Sequence, residues 1–329
     1  MAVRRSPAWA WPATSMSASV AADVRRGCIR RQCLRQAGLS SASSVTLRRA
    51  ARERRMETTI SHAMPLRAEG PGRWITTAGP EWENPGGGLW GGYPIGLTVR
   101  VLEAEAEAVG EPVCLTLTYV DRLPVGELSV RTRRMRQGGS VGVWQVDIGP
   151  AGSDEVSVHA VATLARRPPT PDFAFAEMPL LADPETLPAP ESPGGRRHFG
   201  AQAFERRTTE SFPIPPGGDS FSLAWVRPRI APWDKALIGM VTDNSPPRAF
   251  YALGSGVMTT TLSLTVYLHA TAAEIAAAGD DYILIECEGR VGGGGASDER
   301  SSYWRRDGKL LATSEQLVWY RERRPQVPE

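Results

Sequence analysis

Few residues in this chain have types and neighbours that suggest chemistry. One acid stands out: Asp243, in the stretch MVTDNSPP at 240–247. It follows WDKALIG, a mostly helix-forming run, and precedes Pro246 and Pro247, which break a helix. Asp-Asn-Ser-Pro is a strong turn signal, so the acid can simply end a helix. It can also be a carboxylate held against an apolar wall. Such a group is ordinarily ionised at neutral pH and can take a proton from water. The residues alone leave both readings open.

Other reactive types fit less well. Cys28, Cys33, Cys114 and Cys287 form no CxxC pair and no metal spacing with the four histidines. No metal or cofactor is therefore expected. The absence of a disulfide framework points to a reducing compartment. There is no GxSxG elbow, which argues against a serine hydrolase. His159 and His269 read as structural. The glycines at 86–88 and 91–92 could approach a ligand phosphate at a helix start, but tight turns and packing are the favoured reading. Gly292–Gly295 reads as a hairpin loop.

The elements around Asp243 follow from periodicity. GGGLWGGYPIGLTVRVLEAEAEA (86–108) predicts a helix apolar on most sides, hence buried on most sides. RWITTAGPEW precedes it as a short strand. CLTLTYV (114–120), ELSVRTRRM (127–135), SVGVWQVDI (140–148) and EVSVHAVATLA (155–165) follow as strands, most of them alternating with period two. The order then recurs. FERRTTESF (204–212) and SFSLAWVRPR (220–229) read as strands, and 232–253 as a helix interrupted by its prolines. Strands follow at 258–269, 281–290, 299–306 and 309–321. CLTLTYV aligns with TLSLTVY (261–267) at an offset of 147. Antiparallel strands with one apolar helix per repeat require the sheet to wrap that helix.

Composition sets the remaining bounds. The chain has 329 residues, 41% hydrophobic and 22% charged, enough apolar content for a packed core. No apolar run reaches the ~18–20 residues of a membrane helix. The net charge of +2 is unevenly placed. Residues 1–55 hold twelve Arg against Asp23 and Glu53, and the rest holds 26 Lys+Arg against 34 Asp+Glu. A mildly acidic body does not suggest nucleic-acid binding. The basic leader, 1–56, resembles a transit peptide, or it precedes a true start at Met56. The body is therefore expected in the cytoplasm, or in mitochondria if the leader is a real targeting segment. Eight prolines between 168 and 200 predict a linker.

With these elements in place, the chain over about 65–323 resembles the acyl-CoA thioesterase II family and its thioesterase-like relatives. TDNSPP after the second helix, TLSLTVYLHA as the next strand and DGKLLATSEQ as the last strand carry the likeness. The resemblance implies an α+β double hotdog: two tandem units, each a long central helix wrapped by a curved antiparallel sheet. The units are expected at 57–167 and 201–323, with a tail at 324–329. It also implies an acyl-CoA substrate and a water held by an Asp, a Thr and a Gln, here Asp243, Thr261 and Gln316. Alternation along 258–269 sets Thr261 with Ser263, Thr265, Tyr267 and His269 on a polar face. The offset of 147 makes Cys114 the counterpart of Thr261. The helix of the first unit holds no acid before Glu103, so that unit is expected to be catalytically blank. The expected activity is hydrolysis of an acyl-CoA thioester, with no cofactor. A non-catalytic acyl-ligand-binding or scaffold protein on the same fold is the alternative. A homo-oligomer is compatible with either.

Overall fold

The computed structural model describes residues 60–84, 86–190, 200 and 202–321, all within the compact unit Leu47–Glu329. The leader 1–56, part of the Pro-rich segment (191–199) and the tail 324–329 lie outside the described residues.

The first half supplies α1 (Ile60–Ala63), β1 (Arg67–Gly70), β2 (Arg73–Ala78), α2 (Gly92–Ala104), β3 (Glu111–Tyr119), β4 (Gly126–Gln137), β5 (Val141–Pro150) and β6 (Val158–Ala165). The second supplies β7 (Phe204–Arg207), β8 (Ser222–Pro228), α3 (Lys235–Val241), α4 (Ala249–Leu253), β9 (Met258–Leu268), α5 (Ala272–Ala276), β10 (Ile283–Glu288), β11 (Gly292–Gly293), β12 (Ala296–Arg305) and β13 (Leu310–Arg321). One antiparallel sheet runs β1-β2-β4-β5-β6-β3-β9-β13-β12-β10-β8-β7, with β11 beside β12. The order reads the same from either end, so the halves are related by a pseudo-twofold between β3 and β9. Leu115 pairs with Val266 there, and Leu117 with Leu264. Thr116 Oγ1 lies 3.2 Å from Thr265 Oγ1 across the same seam.

Each half of the sheet turns its apolar face to a helix. In β6, Val158, Ala160, Ala162 and Leu164 are buried and alternate with more exposed residues. Of the thirteen residues of α2, ten are buried, as its apolarity on most sides requires. α2 and α3 pack against each other through two glycines. A Cβ on Gly96 would stand 2.4 Å from Met240 Cγ, and one on Gly239 would stand 3.1 Å from Ile95 Cγ2. Any larger side chain there would push the two central helices apart.

Two expectations are amended. The interrupted helix expected over 232–253 is two short helices of seven and five residues, α3 and α4. Asp234 caps α3 by accepting from Leu237 N–H at 2.8 Å. The hydroxyl of Thr242 closes it by donating to Gly239 O at 2.7 Å. Pro246 and Pro247 then prevent continuation. The described part of the linker is packed down rather than free. Leu187, with Met178 and Leu181 beside it, joins Trp225, Tyr282, Leu284 and Trp304 in a small second core on the outer side of the sheet. Trp225 Nε1 donates to Ala182 O at 2.9 Å.

Candidate functional site

Asp243 sits just past the C-terminus of α3, with both sides of its backbone held. Trp90 Nε1 donates to Asp243 O at 2.9 Å, and Tyr303 OH donates to Thr242 O at 3.2 Å. Downstream, the buried Arg248 donates through Nε to Pro246 O at 3.1 Å and through Nη1 to Ser222 Oγ at 2.9 Å. The diproline turn is therefore pinned by a guanidinium, which fixes the exit of the loop carrying the acid.

The structure brings all three expected residues together. Gln316 Nε2 donates to Asp243 Oδ1 at 3.1 Å and to Thr261 Oγ1 at 2.6 Å. Thr261 Oγ1 donates to the same Oδ1 at 3.4 Å. Oδ2 faces Gly91, where a Cβ would stand 2.8 Å from it. Gly91 has ordinary helical angles, φ −63° and ψ −20°, so its backbone does not require glycine. What the position requires is space in front of the carboxylate. The N–H of Gly92, in the first turn of α2, also bonds Asp243. Each half thus contributes: α2 comes from the first, the three polar side chains from the second.

The face assigned to Thr261 is corrected. Simple alternation puts it with Ser263 and Thr265, on the outer face. In the structure, β9 skips a residue against β13: Ser263 pairs with Leu317, but Thr261 pairs with Val318. Leu262 is the extra residue of a β-bulge, which turns Thr261 inward beside Gln316 and the buried Val318.

The counterpart is corrected as well, because the seam sets Thr116 against Thr265, an offset of 149 rather than 147. β3 skips Val113, so Pro112 pairs with Leu164 and Cys114 with Thr163. Aligning the bulges makes Pro112, not Cys114, the counterpart of Thr261. Ala162, which pairs with Leu115, matches Gln316, which pairs with Leu264. At this second location the start of α3 replaces the glycines of α2, and Lys235 fills the space. Its side chain is buried, and Nζ donates to Pro112 O and Ala270 O, both at 3.2 Å. Glu111 Oε2 is 3.5 Å away.

Burial raises Asp243 from the ordinary aspartate value to about 7, and the nearby charge of Glu299 adds to the rise. The bonds from Gln316, Thr261 and Gly92 oppose it. Tyr119 is also driven upward by burial, with the charge of Asp243 adding to it, and its hydroxyl donates to Gly91 O at 2.7 Å. Sequence reasoning missed Trp90, Tyr119, Arg248 and Glu299. Glu299 alternates with Ser301 and Tyr303, and all three are buried. That pattern was the available signal for an inward-facing acid.

The fold and site define a double-hotdog, thioesterase-like protein. The N-terminal domain model of acyl-CoA thioesterases matches residues 79–165, and the C-terminal domain model matches residues 182–320. Together these span more than half of the chain, which belongs to the acyl-CoA thioesterase family. A hot dog fold protein of unknown function from Alicyclobacillus acidocaldarius superposes with a TM-score of 0.74 at 23% identity, covering 80% of this chain and 98% of the other. An acyl-CoA thioesterase II from Mycobacterium marinum superposes with a TM-score of 0.62 at 17% identity, covering 82% and 99%. No curated protein matches the chain by sequence. Among the described residues, no helix is long and apolar enough to cross a membrane.

Proposed function

We propose that this protein hydrolyses an acyl-CoA thioester, with Asp243 as general base and Thr261 and Gln316 as the groups that fix it. The observation that carries the reading is the mutual hydrogen bonding of these three side chains within 3.4 Å, drawn from a loop and two strands.

Oδ1 is engaged by Gln316 and Thr261, and Oδ2 lies against Gly91 at the start of α2. A water bonded there attacks the thioester carbonyl carbon and loses its proton to the carboxylate. The start of α2, with its partial positive charge, faces the developing oxyanion. Collapse of the tetrahedral intermediate expels the CoA thiolate, which takes a proton, and releases the free acid. A carboxylate raised to about 7 is a stronger base than an ordinary aspartate and is still substantially ionised at neutral pH. The second location has Pro112 and Ala162 in place of Thr261 and Gln316; its acid, Glu103 at the end of α2, is also raised by burial to about 7 but stands near Lys235 and lacks those two partners. One site per chain is therefore proposed.

Thiol release from a panel of acyl-CoA lengths tests this with the full chain. The expected result is release by the wild-type protein and none by Asp243→Asn. Intact substrate across the panel, with binding of a CoA thioether still measurable by calorimetry, would favour a binding protein instead.

A further inference from the structure

One hydroxyl beside Asp243 takes no part in activating water: that of Tyr119, the last residue of β3. Leu115, Leu117 and Tyr119 alternate along the inner face of that strand, and the tyrosine packs against the core. Its hydroxyl donates to Gly91 O at 2.7 Å, and its Cε1 lies 3.5 Å from where a Gly91 Cβ would stand. The strand end is held in turn, because the N–H groups of Val120 and Asp121 donate to Ser157 O at 2.8 and 3.0 Å. The sheet therefore aims the tyrosine at Gly91.

The carbonyl of Gly91 and the N–H of Gly92 belong to one peptide group. That group is planar and resonance-stabilised, so its two ends do not turn independently. The N–H end bonds Asp243, in the first turn of α2, where no intrahelical acceptor competes for it. A donor on the carbonyl end draws electron density toward the oxygen and strengthens the N–H as a donor. The hydroxyl, the peptide and the carboxylate thus form one chain of hydrogen bonds, running from the first half of the molecule to the acid of the second. The second location shows the same place without it. The seam sets Thr116 against Thr265, so the counterpart of Tyr119 is Leu268. Leu268 is buried, pairs with Ala312 as Tyr119 pairs with Val158, and has no hydroxyl.

We propose that Tyr119 is a positioning residue for the reaction: through the Gly91–Gly92 peptide it orients the N–H that steadies the ionised carboxylate of Asp243. This rests on the hydrolase reading and adds a residue that acts on the same site at one remove. Asp243 is faced by Gln316 from β13, Thr261 from β9, the Gly92 N–H from α2 and the charge of Glu299 from β12. Tyr119 works through the bond from Gly92. Burial keeps its own hydroxyl protonated, and so a donor, across the range in which Asp243 titrates. Removing that hydroxyl weakens a bond that favours ionisation, so the Asp243 carboxyl then ionises at higher pH.

Tyr119→Phe deletes the hydroxyl and keeps the ring. In the full chain it should lower kcat for thiol release by about 3- to 10-fold with KM little changed, the loss expected for one hydrogen bond. The midpoint of the pH profile of kcat/KM should rise by about 0.3–0.7 of a unit. Fluorotyrosine at position 119, whose hydroxyl is a stronger donor, should move the midpoint the other way, and it decides the matter should the phenylalanine variant fail to fold. A tyrosine that only braces the fold would leave the midpoint in place. A fall in kcat at an unchanged midpoint therefore overturns the proposal, as does Tyr119→Phe with wild-type kinetics. If the wild-type protein cleaves no thioester, the hydrolase reading fails by itself. Titration of Asp243, followed by NMR on isotope-labelled aspartate, then judges the tyrosine: a higher midpoint in Tyr119→Phe sustains its role, and an unchanged one ends it.

Discussion

Two locations in this molecule occupy equivalent places about the seam between β3 and β9, and the fold treats them alike. Each has the start of one central helix, the end of the other and a β-bulge in the seam strand. At one, the bulge presents Thr261, the neighbouring strand presents Gln316, and the helix begins with glycines. At the other, the bulge presents Pro112, the strand presents Ala162, and Lys235 fills the helix start. The scaffold supplies geometry twice, but an Asp, a Thr and a Gln gather only at the first; the second holds Glu103 near Lys235 and Glu111. The difference is also one of solvation. Lys235 satisfies its donors on the carbonyls of Pro112 and Ala270, which seals its site. Asp243 is only partly buried, with its Oδ2 packed against Gly91 where a side chain would collide with it.

The comparison can be broken from either side. Asp243→Asn should lower kcat about 10²–10⁴-fold, the range for loss of a general base, while substrate binding persists in calorimetry. Gln316→Ala installs the residue found at the blank location and should lower kcat by about 10- to 100-fold, with little effect on stability measured by urea unfolding. Lys235→Met should do the reverse, leaving kcat unchanged but destabilising the protein by about 1–3 kcal/mol, because two buried carbonyls lose their donor.

Asp243 also makes a smaller, signed prediction about stability. Its carboxyl is raised to about 7 in the folded chain, so the folded state holds a proton that the unfolded state releases near the ordinary aspartate value. Stability from this group is therefore fully present at low pH and is lost as pH rises toward 7. Asp243→Asn removes that loss. It should unfold at a higher temperature than wild type at about pH 8, by on the order of 1–2 kcal/mol, with the gap closing toward about pH 4.

Much of this was legible from residue order alone. A helix apolar on most sides must be buried on most sides, which placed α2. Period-two alternation placed the long strands β3, β4, β5, β6 and β9. Asp243, Thr261 and Gln316 were singled out by resemblance, and their side chains hydrogen-bond to one another. The facing of Thr261 was not legible, because the bulge at Leu262 is set by pairing with β13 and leaves no local mark among three threonines and alternating leucines. Cys114 was matched where Pro112 belongs for another reason: the short likeness at an offset of 147 sits two residues off the seam, where Thr116 faces Thr265. The buried pair of Arg248 and Glu299, 3.7 Å apart, was equally hidden. Charged residues in an alternating strand read as solvent-facing until a partner 51 positions away turns them inward. The segment around Leu187 read as a linker because its prolines exclude helix and central strand, yet an irregular chain can still cover an apolar sheet face.

The most direct measurement is the pH dependence of kcat/KM for thiol release from acyl-CoA, between about pH 5 and 9. If Asp243 must be ionised to draw a proton from water, the rate climbs with pH and is half-maximal near 7, and Glu299→Gln moves that midpoint downward by removing the charge that helps raise it. A profile flat across this range, or a midpoint unmoved by Glu299→Gln, would contradict a buried carboxylate as the base.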